Sequence, residues 1–176
     1  MYERIIVQGI GFVAAGLLIA SFQCKRSRRL FTYQMCACIV YIIHFYLLGA
    51  MSGSGNQFVG LVRGFIYSNR GKKWADSEYW PAIIVALNVI VMLLTWVNYM
   101  SIFPFLGMVG ITIAGAKGNG KHVRLANLCL CSPSWLIYDI YSHSIPGILC
   151  ETFIMTSIII SVFRYGWEAL DGDGED

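Results

Sequence analysis

The chain has 176 residues, of which 57% are hydrophobic and only 13% are charged, with a formal net charge of +3. Soluble domains carry about 25% charged residues, and a globule of this size has too much exterior to hide so much apolar surface from water. With a mean hydropathy of +0.61, the composition excludes an ordinary water-soluble protein. It indicates an all-α polytopic membrane protein whose exterior is covered by lipid.

The first apolar segment, residues 5–22, is interpreted as a mature helix rather than a cleaved signal. Glu3 and Arg4 cancel in charge before it, and the basic cluster at 25–29 follows it. A secretory signal carries its positive charge in front of the apolar stretch instead. The order found here suits an anchor whose N-terminus faces outward.

Seven segments are candidates for crossing the hydrocarbon core, which requires about 20 mainly apolar residues in a helix. They cover residues 5–22, 30–49, 54–67, 81–97, 103–116, 123–141 and 146–164. The third segment is short and carries Arg63, and the fifth is rich in glycine. Six spans is therefore the alternative count.

The distribution of lysine and arginine decides between these counts. With the N-terminus outside, seven spans place the connections 25–29, 70–73 and 117–124 and the tail after Arg164 in the cytoplasm. These regions hold eleven of the thirteen basic residues, whereas the outer connections 50–53, 98–102 and 142–145 hold none. Because cytoplasmic loops carry the excess of basic residues, the pattern predicts seven spans with a cytoplasmic C-terminus. The acidic tail, 168–176, is predicted to be disordered.

An internal repeat is indicated by a shift of about 94 residues, which superposes the first three segments on the last three. Under this shift Arg70 falls on Arg164, Gly53 on Gly147, Gln57 on Glu151, and Tyr41 on Trp135. The single membrane domain then divides into repeat one (5–70), a linker helix (81–97) and repeat two (103–165). The one linker helix gives both repeats the same orientation, and parallel repeats are a transporter architecture.

Short motifs in both halves of the chain carry a resemblance to a known family. The first half contains Gln8-Gly-Ile-Gly11, the basic stretch 25–29, His44-Phe-Tyr-Leu-Leu-Gly49 and Arg63, and the second half contains Phe105-Leu-Gly107, Trp135-Leu-Ile, Ser144-Ile-Pro-Gly147, Glu151 and Arg164. These motifs resemble those of the YgjV-type bacterial inner-membrane proteins over most of the chain, up to about Trp167. The resemblance implies a multi-pass protein of the bacterial cytoplasmic membrane, but it does not indicate a substrate. The three-one-three layout is also similar to SWEET proteins and PnuC-type vitamin transporters, by analogy of fold alone.

Seven side chains within the predicted spans are candidates for a solute pathway. They are His44, Asn56, Gln57, Arg63, Trp135, Asp139 and Glu151. An ionisable group near the middle of a span costs about 2.5–3.5 kcal/mol, so each such group requires a partner, a cavity or a function. The predicted topology places His44, Gln57, Asp139 and Glu151 in the outer half of the membrane beside the repeat interface. A polar vestibule that opens outward is therefore predicted.

Each candidate also has a structural interpretation. Arg63 either extends toward the interface or pairs with Glu151 as a lock, and Asp139 is hydrated near the outer end of its helix. His44 is more often a hydrogen-bonded packing residue, and Trp135 packs more often than it stacks on a solute. Glu151 is the strongest candidate for a contact with solute or proton, because hydration at its depth requires a cavity.

No cofactor, metal or nucleic-acid site is predicted. The C-x-C pairs that begin at Cys36 and Cys129 lie in helices, where residues two apart point about 200° away from each other and cannot chelate. Residues 115–122 nearly spell a phosphate-binding loop, but His122 stands where a hydroxyl should hold magnesium. The short basic loops favour lipid headgroups as anionic neighbours.

The sequence predicts a small-solute transporter or facilitator in which two three-helix bundles rock against each other. The alternative is a non-transporting scaffold or sensor subunit whose polar groups are buried locks. An enzyme is not expected, since no pair of nucleophile and base is visible. Because one chain holds both repeats, a monomer suffices, and the choice between monomer and homo-oligomer stays open.

Overall fold

A computed structural model describes residues 2–21, 27–116 and 120–165, and this part of the chain contains seven helices and no strand. The helices are α1 (Tyr2–Ser21), α2 (Ser27–Leu47), α3 (Met51–Ser68), α4 (Trp80–Leu94), α5 (Ile102–Ala116), α6 (120–141) and α7 (Ile145–Tyr165). Each predicted segment overlaps one of these helices, so the all-α prediction is confirmed. The residues 22–26 and 117–119 of the basic connections, and the acidic tail, lie outside the described residues.

Four stretches are long and apolar enough to cross a membrane, judged by length and composition. They are Tyr2–Ser21, Arg29–Leu47, Tyr99–Ala116 and Ile145–Arg164. The other helices differ for visible reasons. α4 has only 15 residues, α3 contains Asn56, Gln57 and Arg63 within 18 residues, and α6 is interrupted in its middle.

The exterior of the helices is strongly apolar. Ile5 and Ile6 are each 63% exposed, and Leu94 and Phe163 reach 80% and 87%. Soluble proteins rarely expose apolar patches that extend so far over their surface. Lipid chains can cover this apolar exterior. The helices form their backbone hydrogen bonds internally, as a lipid environment requires.

Two buried clusters hold the helices together. The first joins α1, α2, α6 and α7 through Ala14, Tyr41, Phe45, Trp135, Tyr138 and Cys150. The second joins α3, α4 and α5 through Val59, Ile66, Tyr67, Ile84 and Met108. α2 also packs on α3, and α5 packs on α6, so the two groups of helices are in contact.

α6 changes its winding immediately before Pro133. It comprises Gly120–Ala126, a π-helical segment over Asn127–Cys131, and Ser132–Tyr141. Proline has no N–H, so the carbonyl four residues earlier loses its usual helical bond. The wider turn accommodates this loss, and the N–H of Ser132 donates to the carbonyl of Asn127. The irregularity of α6 at Pro133 therefore takes the form of a π turn.

Candidate functional site

His44 lies where α1, α2 and α7 meet, and its side chain is fully buried. Its Nδ1 is 2.9 Å from the carbonyl oxygen of Val7, and its Nε2 is 2.9 Å from Oγ of Ser144. A backbone carbonyl only accepts hydrogen bonds, so Nδ1 donates, and Nε2 of the neutral ring accepts the Ser144 hydroxyl. Both ring nitrogens of His44 are therefore bonded to neighbouring helices.

Ser144 occupies the position just before α7 and is also fully buried. Its Oγ accepts the N–H of Gly147 at 3.2 Å, as expected for a residue that caps a helix N-terminus. The Asp139 carboxyl lies on the other side of the same hydroxyl. Sequence reasoning missed Ser144, although a serine followed by a proline in the first turn is a recognised start of a helix.

Asp139 is enclosed by the start of α7. It is 2% exposed, and a Cβ placed on Gly147 would lie 2.4 Å from its carboxyl Cγ. Its Oδ1 has no hydrogen-bond partner among the described residues. The expectation that Asp139 is hydrated near the outer end of α6 is therefore wrong, because the first turn of α7 folds back over the carboxyl. Buried polar atoms without a partner are rare in proteins.

Glu151 belongs to the same region and lies about one turn further along α7 than Gly147. Its side chain is half-buried, and its carboxyl lies beside the Ser132 hydroxyl, although this contact does not reach hydrogen-bond geometry. Tyr41 is 4% exposed, lies against the Cys150 thiol, and is within electrostatic range of both Asp139 and Glu151. We call this group the polar core; its members are Tyr41, His44, Ser132, Asp139, Ser144, Cys150 and Glu151.

Arg63 borders the polar core without joining it directly. Its side chain is half-buried, and within the described part of the chain no ion pair of 4.0 Å or less links it to Glu151. The Cys131 thiol lies within electrostatic range of both charges. Arg63 and Glu151 therefore face the same region, but the direct lock weighed from the sequence is absent.

The remaining predicted residues, Asn56, Gln57 and Trp135, are not part of the polar core. Asn56 is fully buried, donates to the Ser52 carbonyl at 2.8 Å, and has an Oδ1 with no hydrogen-bond partner among the described residues. Gln57, the next residue, is half-buried. Trp135 is 5% exposed and packs on Phe45, with ring centroids 5.8 Å apart. Trp135 thus belongs to the aromatic packing of the first cluster.

A second contact, between α6 and α3, involves Tyr138. Its hydroxyl accepts the N–H of Gly53, near the start of α3, at 2.9 Å. His44 of α2 bonds to Ser144, just before α7. Residues 44 and 138 are 94 positions apart, so the two side chains are equivalent under the shift found in the sequence, although their partners are not.

Gln8 clamps the turn between α6 and α7 onto α1. Its Nε2 donates to the carbonyl of His143 at 2.8 Å, and its Oε1 accepts the N–H of Ile145 at 3.2 Å. His143 has a φ of 57°, in the left-handed region. The sequence identified Gln8 only as part of a motif, and nothing local to it indicated this distant partner.

A cavity of about 410 Å³ lies at the other end of α3, away from His44. Its lining includes Tyr67, Arg70, Asp76, Glu78 and Trp80. The Arg70 guanidinium sits 4.0 Å from the Tyr67 ring centroid and donates to the Gly115 carbonyl at 3.3 Å. Arg70 is thus held in the cavity wall, and the cavity does not include the polar core.

The apolar exterior and the buried polar core define the chain as a helical membrane protein. The chain belongs to the Imp-YgjV family, described as bacterial inner membrane protein, whose family model matches residues 5–168. The resemblance to YgjV-type proteins is therefore confirmed, and with it the inner membrane as the family's location. Comparison with curated proteins and with solved structures gave no match.

Proposed function

We propose that the chain is a small-solute transporter or facilitator of the bacterial inner membrane. In this proposal α1–α3 and α5–α7 are parallel repeats linked by α4, and all seven helices cross the bilayer with the N-terminus outside. The solute passes between the repeats. The partners are the lipid bilayer and a small polar solute, and the function requires no cofactor, metal, nucleic acid or chemical reaction.

The observation that carries this proposal is the reciprocal contact between α1–α3 and α5–α7. His44 of α2 reaches the start of α7, and Tyr138 of α6 reaches the start of α3. The packing inside each repeat is also equivalent, since Phe45 lies against Gly53 and Asp139, 94 positions later, lies against Gly147. Such an arrangement is expected of two parallel repeats related by an axis along the membrane normal.

The polar core supports transport because it lies where the repeats meet. Tyr41 and His44 come from the first repeat, and Asp139, Ser144 and Glu151 come from the second. Oδ1 of Asp139 and Oγ of Ser132 are buried there without a hydrogen-bond partner among the described residues. Ionisable groups inside a membrane that point into a bundle often mark the route of a solute or ion.

The topology is tested with fusions to a reporter enzyme that is active only outside the cytoplasm. We expect activity for junctions at residues 50, 98 and 143 and none for junctions at 28, 72 and 118. The junction at 72 is decisive. If only the four long apolar stretches crossed the membrane, residue 72 would lie outside, and an active fusion there would contradict the proposed seven spans.

The transport function is tested by solute flux into proteoliposomes with the Glu151→Gln variant. Separate panels of sugars, amino acids and water-soluble vitamins serve as labelled solutes. We expect one panel to enter faster than into empty liposomes and Glu151→Gln to lower that flux about tenfold or more, because a charged hydrogen-bond partner is lost.

Glu3→Gln is the matched control, since Glu3 is an exposed residue of the first turn of α1, and its flux should equal that of the wild type. Transport is contradicted if no panel enters, or if the two variants behave alike.

A non-transporting scaffold or sensor subunit is the second candidate. The tight contact of Gly11 with Pro146 favours it because it fixes α1 of the first repeat against α7 of the second. In that case Glu151→Gln would lower the yield of folded protein and no flux would be found for the wild type.

A further inference from the structure

Three side chains of the polar core, Asp139, Ser144 and His44, lie next to one another, and a hydrogen bond joins His44 to Ser144. Ser144 Oγ lies 2.9 Å from Nε2 of His44, and the Asp139 carboxyl lies beside the same hydroxyl. The other ring nitrogen of His44 is engaged by the Val7 carbonyl. Nε2 is therefore the ring atom that is free to gain or lose a proton.

The Ser144 hydroxyl permits two arrangements of a single proton. With Asp139 protonated, the carboxyl O–H donates to Ser144, and Ser144 donates to Nε2 of His44. With Asp139 ionised, Ser144 donates to the carboxylate and accepts from the protonated Nε2. The exchange breaks one carboxyl O–H and one serine O–H and forms a serine O–H and an N–H. No further reactant is needed, and Ser144 keeps a lone pair for the Gly147 N–H in both arrangements.

Because Asp139 and His44 are buried, we expect them to hold a proton whenever no other cation is bound beside them. His44 and Ser144 are 0% exposed, and Asp139 is 2% exposed. A lone carboxylate in apolar surroundings is costly, whereas a proton held by either Asp139 or His44 keeps the pair neutral overall. Loss of the proton would leave one uncompensated negative charge between α6 and α7.

Within the described residues, no cation interacts with Asp139 in place of that proton, and Arg63 of α3, which borders the polar core, interacts with the thiols of Cys38 and Cys131 instead. The titratable side chains that face Asp139 from the elements packed around it are Tyr41 of α2, Tyr138 of α6, and Cys150 and Glu151 of α7. From α1, His44 is faced by Val7 and Gly11, which do not titrate. Within the described residues, the compensating charge for Asp139 is therefore the proton that it shares with His44.

We propose that Asp139, Ser144 and His44 form a proton-binding site, and that solute movement is coupled to the proton they hold. The coupling rests on the proposed transport function, whereas the proton site stands independently of it. The site explains why an unpartnered carboxyl oxygen is kept against the start of α7. It also makes the proton the coupling ion of this protein.

The proton site is tested by infrared difference spectra of the purified full-length chain between acidic and alkaline pH. A protonated carboxyl gives a C=O stretching band that disappears on ionisation. We expect this band to lose its Asp139 component in Asp139→Asn and to keep it in Glu151→Gln. The pH at which the component disappears should change by about one unit or more in Ser144→Ala and in His44→Gln. Ser144→Thr, which keeps the hydroxyl, should titrate as the wild type does.

The proposal is overturned if Asp139→Asn leaves the band unchanged, or if Ser144→Ala and Ser144→Thr titrate alike. Coupling is read separately in proteoliposomes with a pH-sensitive dye inside. Wild-type solute entry should change the internal pH, and entry through Asp139→Asn should leave it constant. If no solute enters through the wild type, the proposed function fails while the infrared result still decides the proton site. Solute entry with no change of internal pH in the wild type overturns the coupling.

Discussion

Replacing Gly147 by alanine is expected to destabilise the protein by about 1–3 kcal/mol, the usual cost of forcing an extra methyl into a packed site. The new Cβ would lie 2.4 Å from Cγ and Oδ1 of Asp139 and 2.5 Å from Oδ2. Asp139 is a short side chain that is held on all sides, so the helices α6 and α7 must move apart. Thermal unfolding followed by circular dichroism in detergent micelles measures the loss.

Gly16→Ala is the matched control for this substitution. Gly16 lies in α1, and a Cβ there would meet nothing within 4 Å. Alanine is favoured over glycine in a helix by roughly 0.5–1 kcal/mol, so this variant should unfold at the wild-type temperature or above it. A second substitution, Asp139→Ala, should recover part of the stability of Gly147→Ala, because it removes the atoms that clash. Equal unfolding temperatures for Gly147→Ala and Gly16→Ala would contradict the packing described for α7.

Replacing His44 by asparagine is expected to cost about 2 kcal/mol or more of stability. Asparagine is too short to reach both Val7 and Ser144, so at least one buried hydrogen bond is lost. It also leaves a void under Gly11, whose added Cβ would lie 2.6 Å from Cε1 of the imidazole. The unfolding temperature in micelles measures the effect.

His143→Asn is the same substitution at an exposed histidine. His143 has a left-handed backbone, with φ of 57°, and asparagine tolerates that conformation better than most residues. Its contact with Gln8 uses the backbone carbonyl and survives the change. The control should therefore unfold within a degree or two of the wild type. If the two asparagine variants were equally stable, His44 would not join the three helices as described.

The positions of the helices were predictable because each follows from a local property of the chain. Apolar segments bounded by basic or glycine-containing connections predicted all seven, including α3 and α4, which do not qualify as spans by length and composition alone. The family was also accessible, since its short motifs lie in both halves and the family model matches residues 5–168.

The contacts within the site were not predictable, because they depend on how distant segments meet. Asp139 lies two residues before the end of α6, and this position suggested hydration near the interface. The first turn of α7 covers it instead, and only the tertiary arrangement reveals this. Ser144 was invisible for the same reason, since its partner His44 lies 100 residues away. The relation between Arg63 and Glu151 also depends on how the π segment of α6 positions Cys131 between them.

The closure of α1 onto α7 has a consequence for biosynthesis. Gln8 and Gly11 belong to α1, which is synthesised before the other six described helices, and their partners at residues 143–146 lie at the start of α7, the last of the seven. His44 lies in α2, and the four helices α3 to α6 are synthesised before Ser144, which completes its hydrogen bonding. In nascent chains arrested before Ser144 is made, Nε2 of His44 would lack this hydrogen-bond partner within the bilayer.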